Sequence, residues 1–157
     1  MNHTPLEMAQ LSTAAQRALG PGPARVMAAR GMMPLPPGDQ IAVLYQLSLD
    51  ADTMLAQSAR VTAAGLPDKL LSGTLADPTL DPRIVDYFAQ VAGAKPSVFQ
   101  AIALNPSTHD STIATLAERA SAPQIDLIAQ NEQRLLRHPE IIAAMYMNRH
   151  ARMSTVD

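Results

Sequence analysis

The chain has 157 residues, of which 47% are apolar and 17% charged, and a formal net charge of −2. That balance describes a folded chain with one domain's worth of core and argues against the basic surface that general nucleic-acid binding requires. With no cysteine, disulfide frameworks, thiolate zinc sites and cysteine nucleophiles are excluded.

Aromatic residues make up only 3% of the chain, so aliphatic side chains, methionine and alanine must fill the interior. Alanine-rich windows poor in β-branched residues favour helix. In chain order, residues 1–36 come first and follow no period. The start, "MNHTPLEMAQL", lacks a basic segment followed by an apolar one, so no secretion signal is expected. "PLEMAQLSTAAQRAL", Pro5 to Leu19, predicts an amphipathic helix with Leu6, Leu11, Ala15 and Leu19 on one side, stopped by "GPGP" at Gly20 to Pro23. "ARVMAARGMMPLPP" predicts a short helix and an extended connection. Residues 1–36 read either as an N-terminal cap helix with a proline-rich connection or as a mobile tail.

Residues 37–153 carry an internal period. Pro37, Pro67, Pro96 and Pro123 each precede an apolar helical pattern. Asp52, Asp81, Asp110 and His138 mark the same beat, separated by 29, 29 and 28 residues. Three residues after each marker stand Leu55, Ile84, Ile113 and Ile141, and seven after stand Ala59, Phe88, Ala117 and Met145. Eleven before stand Ile41, Leu70, Phe99 and Leu127. Each unit therefore predicts a first helix, a polar turn and a second helix. The turns are "SLDAD", "ADPTLD", "NPSTHD" and "NEQRLLRH". Aspartate is a favoured N-cap, and Pro82 and Pro139 suit the first helical position. One such pair cannot bury its apolar face alone, whereas four stacked pairs share a continuous core.

This pattern, over about residues 36–152, resembles the armadillo, HEAT and leucine-rich-variant class of α-helical repeats. "ALNPSTHDSTIATLA", Ala103 to Ala117, looks most like the last of these. The resemblance implies an all-α, right-handed stack of about four helical hairpins, an α-solenoid. It also implies binding of other proteins or, less often, regulatory or enzyme-associated scaffolding. Residues 154–157, "STVD", have the spacing of a capping box with Asp in place of Glu. They read as the start of a helix that a longer protein or a partner would complete.

Little in the sequence suggests catalysis. His109 and His138 fall in neighbouring turns with no third ligand, a poor metal site, and N-capping already explains the acidic column. No nucleophile elbow, phosphate loop or dinucleotide fingerprint is present. No run approaches the roughly 18 apolar residues of a membrane span. The absence of thiols suits the cytoplasm. The nine methionines read as filler for an aromatic-poor core or as a pliable binding surface.

"NEQRLLRHPE", Asn131 to Glu140, admits two readings. It is an inserted turn whose leucines plug the end of the stack, or a loop presenting Arg134, Arg137 and His138 beside Asn148, Arg149 and Arg152. Arginine forks suit carboxylates and phosphates, and binding residues gather on loops of rigid scaffolds. The sequence thus predicts a non-catalytic protein-interaction or scaffold module without a cofactor, whose partner is another protein and which could also self-associate. The alternative is a sensor holding a small anionic or nucleotide ligand on those arginines.

Overall fold

Prolines and small polar residues punctuate the chain into short helices. The computed structural model describes residues 1–148, and among them are eleven α-helices, one 3-10 turn and no strand. Proline stands in the first turn of α2 (Pro23–Ala29), α3 (Pro37–Leu47), α6 (Pro82–Ala92), α7 (Pro96–Leu104) and α9 (Ala122–Ala129). Its missing N–H costs nothing there. Side-chain caps open α1 (Thr13–Ala18) at Ser12, α4 (Thr53–Ala64) at Asp52 and α6 at Asp81. The remaining helices are α5 (Asp68–Leu75), α8 (Asp110–Ala117), α10 (Glu132–Arg137) and α11 (Glu140–Met147).

The helices touch in two series. In one, α3 meets α5, α5 meets α7 and α7 meets α9. In the other, α4 meets α6, α6 meets α8 and α8 meets α11. Ala59, Phe88, Ala117 and Met145, the column seven residues past each marker, are all buried. Ile84, Ile113 and Ile141 are buried as well, while Leu55 is half-buried. In the column eleven residues before each marker, Ile41 and Phe99 are buried. Leu70 and Leu127 are half-buried, and their neighbours Leu71 and Ile128 turn inward.

Hydrogen bonds keep the same spacing. The Asn105 amide nitrogen donates to the carbonyl oxygens of Leu75 and Asp77, 30 and 28 residues back. Asn148 donates likewise to Ala117 and Ala120, 31 and 28 residues back, and Lys95 to Ala64 and Leu66, 31 and 29 residues back. Each satisfies carbonyls that the end of an earlier helix leaves without intrahelical donors. Lys95 also pairs with Asp68 at 3.0 Å.

Three local expectations are corrected. The amphipathic helix expected over Pro5 to Leu19 is broken into a 3-10 turn, Met8–Gln10, and α1, because the Ser12 side chain caps the Ala15 N–H and restarts the helix. Leu6, Leu11 and Ala15 are nevertheless buried. "NEQRLLRH" is not an open turn, since Asn131 caps the helix α10. The N-cap column holds only at Asp52 and Asp81. At α8 the cap is His109, one position before Asp110, and its Nδ1 accepts from the Ser111 N–H at 3.1 Å; at α11 it is Pro139, one position after His138, so Pro139 is the cap and not the first helical residue.

The interior divides in two. One cluster of buried apolar side chains runs from Leu6 to Ile102 and the other from Phe99 to Met145, with Leu116 packed against both. Helix α6 borders this division, and its residues Ile84 to Phe88 are all buried. A stretch buried on every side lies inside the fold, yet this one carries a carboxylate, Asp86, only 5% exposed. Burying a charge is costly unless it is bonded.

Candidate functional site

The charged stretch that the sequence singled out is largely occupied by bonds within the chain. Arg134 is 3% exposed. Its guanidinium donates to the carbonyls of Thr108 at 2.9 Å and Asn105 at 3.3 Å, lies 3.5 Å from Asp110, and leaves Nε without a partner. Burial holds its pKa below the usual arginine value, against the pull of Asp110. Arg137 grips the same carboxylate as a fork, Nε to Oδ2 at 2.6 Å and Nη2 to Oδ1 at 2.8 Å. Mainly through that bond, Asp110 titrates below the ordinary carboxylate value. His138 stands 3.5 Å from Glu140.

Asn148 is buried on its two carbonyls. Arg149 and Arg152 lie outside the described residues. Of the six expected contact residues, Arg134, Arg137 and His138 are therefore brought together around Asp110 and Glu140, while Asn148 faces inward. The leucines diverge too: Leu135 packs on the second core cluster and Leu136 is 79% exposed.

The acids of the column are similarly engaged. Asp52 accepts from two N–H groups of α4. Asp81 caps α6 and takes Nε and Nη2 of Arg83 at 2.9 and 2.8 Å, which lowers its pKa. Among the described residues no three metal-ligating side chains cluster, and no helix is long and apolar enough to cross a membrane.

An open surface lies instead at the division of the core. A cleft of about 430 Å³ is bounded by the C-terminal end of α6, the start of α7, the end of α8 and the start of α9. Ala89, Gly93, Phe99, Leu116 and Ala120 give it an apolar floor. Gln90, Thr115, Glu118, Arg119 and Gln124 supply polar groups. Gly93 makes the close approach possible: a Cβ there would lie 2.2 Å from the Ala89 carbonyl oxygen and 3.1 Å from Leu116 Cδ2. A second depression, beside α10, is shallower and is lined by Leu104, Leu127 and the polar run from Gln130 to Gln133.

Asp86 sits next to the first cleft. Its Oδ1 accepts from Thr112 Oγ1 of α8 at 2.5 Å. Its Oδ2 takes His3 Nε2 at 2.5 Å and Gln90 Nε2 at 3.4 Å. The His3 ring meets Tyr45 and Tyr87 edge-on, with centroids 5.9 and 6.0 Å apart. The extended segment behind it is tied down at several points. Tyr45 Oη donates to the Thr4 carbonyl at 2.7 Å, and Gln46 exchanges two bonds with the Leu6 backbone. Arg83 donates to Thr4 Oγ1 and to the Pro5 carbonyl.

Sequence reasoning passed over both features. Asp86 carried a signal, a lone acid among Ile84, Val85, Tyr87 and Phe88. The cleft carried none, because its residues come from four helices. Comparison of the chain with known protein families, with curated proteins and with solved structures finds no match.

Proposed function

We propose that this chain is a non-catalytic protein-interaction module, an α-solenoid of four helical pairs, which holds an apolar side chain of a partner protein in the cleft between α6 and α8. The observation that carries the reading is the cleft at the division of the core. Its volume of about 430 Å³ falls in the range of small-ligand sites and suits one or two large side chains. The apolar floor provides burial, and the amides of Gln90 and Gln124 can each donate to and accept from a partner's backbone. A stack braced by bonds 26 to 31 residues apart offers that surface already formed, so binding costs little ordering entropy.

The acids and histidines support a binding role over a catalytic one. Asp52, Asp81, Asp110 and His109 are all taken up in caps or ion pairs. The arginines around Asp110 brace the fourth segment on the third in this reading and leave the partner to the cleft.

Peptides selected from a random display library on the wild-type protein provide the test. They should share an apolar anchor residue. They should lose affinity at least tenfold for Ala94→Trp, which fills the cleft from an exposed position on its wall, and keep it for Met54→Glu on α4. Equal loss, or none, in both variants would remove the cleft from the proposal.

A further inference from the structure

We infer that the N-terminal segment is a latch on the cleft, with His3 as its bolt and Asp86 as the catch, so that freeing residues 1–5 loosens the wall formed by α8. The inference rests on the docking role of the cleft for its consequence, but its physical content stands without any partner.

Asp86 is a buried carboxylate with three side-chain partners on three parts of the chain: His3 on the strap, Gln90 on its own helix and Thr112 on α8. Two of the three lead to the cleft. Gln90 lines it directly, and Thr112 lies on α8 one turn before Thr115 and Leu116, which line it as well. Apolar packing across this joint is divided between two clusters. The polar bridge from α6 to α8 through Asp86 and Thr112 therefore carries weight that a continuous core would otherwise take.

The carboxylate stays buried and oriented only while its acceptor sites are filled. His3 fills the site on Oδ2 at 2.5 Å, whereas Gln90 reaches the same oxygen only at 3.4 Å. With His3 withdrawn, Asp86 must turn toward water or recruit Gln90 more fully. Either movement disturbs the Thr112 bond and takes Gln90 away from the cleft rim. The remaining fastenings of the strap are Tyr45 and Arg83 on the exposed Thr4 and Pro5, and Gln46 on the backbone of Leu6, whose buried side chain anchors the end of the strap in the core. A competitor for that edge of α3 and α6 could displace residues 1–5 while Leu6 stays in the core.

Amide hydrogen exchange on the full chain tests the latch. His3→Ala should speed exchange by about tenfold in residues 112–120 as well as in the strap. That factor matches the loss of one hydrogen bond to a charged group. Exchange in α4, which has no bond to Asp86, should be unchanged. His3→Gln, which can still donate to Asp86, should restore slow exchange in residues 112–120. Faster exchange confined to residues 1–6, or equal effects of the two variants on α8, would overturn the latch. This readout needs no ligand, so its failure leaves the docking role standing. Failure of the peptide selection would sink that role and leave the exchange result intact.

Discussion

Asn105 offers a direct measure of how much the bonds between segments matter. It is 2% exposed, and its amide nitrogen spans the carbonyls of Leu75 at 2.7 Å and Asp77 at 2.9 Å. Its amide oxygen accepts from the Ser107 N–H and hydroxyl, both at 2.9 Å. Asn105→Ala deletes all four bonds and leaves a buried carbonyl at Leu75 unpaired. A neutral internal hydrogen bond contributes about 0.5–1.5 kcal/mol. The two bonds between segments, together with part of the turn, therefore amount to about 2–3 kcal/mol. For a chain of this size that corresponds to a fall in Tm of roughly 5–10 °C.

Asn105→Asp distinguishes the bridge from the turn. The carboxylate keeps both Ser107 bonds but sets an oxygen against two carbonyl oxygens, so this variant should be the less stable of the two at neutral pH. Ser107→Ala should cost less than either. Urea unfolding followed by far-UV circular dichroism gives all four stabilities. Common m-values would show that the native states are equally compact. A loss below about 0.5 kcal/mol for the alanine variant, or an aspartate variant as stable as wild type, would refute the reasoning.

Three further outcomes follow from the same contacts. Arg134→Ala should destabilise by about 1–3 kcal/mol, since it strands the carbonyl of Thr108 and takes one of two donors from that of Asn105, which keeps the Thr108 N–H, and Arg137→Ala should have a clearly smaller effect in the same unfolding assay because its side chain is 59% exposed. Gly93→Ala should cost about 1–3 kcal/mol in thermal unfolding, because the new methyl meets a carbonyl and Leu116. In acid, Asp110 is held below its ordinary value of 3.8 by Arg137, so its contribution is complete above that value and disappears as the pH falls through the lower folded one. Asp110→Asn should accordingly be less stable than wild type at pH 7, with the difference shrinking below about pH 4; a difference constant down to pH 2 would contradict this.

Much of the helix pattern could be read from the residues alone. Proline fixes its own φ and lacks a donor, so Pro37, Pro82 and Pro96 mark helix starts whatever surrounds them. Ala59, Phe88, Ala117 and Met145 are all buried, because each is an apolar side chain on the inward side of a helix and leaves water for the same reason. Local competition was harder to read. Whether Asp110 or its neighbour His109 caps α8 depends on Arg137, 27 residues away, which claims the carboxylate. The arginines of α10 posed the same difficulty. Arg134 and Arg137 look alike in sequence, yet the helix turns one into the interior and leaves the other at the surface.

The sequence by itself determined the helical character of the chain and many of the places where its helices begin, because propensity, capping and apolar spacing act over a few residues. Tertiary structure alone decided that His3 meets Asp86, 83 residues away, that the core divides beside α6, and that a cleft opens there. Those outcomes depend on which helix ends are brought within hydrogen-bond reach, and chain spacing does not encode a distance between elements that only packing brings together.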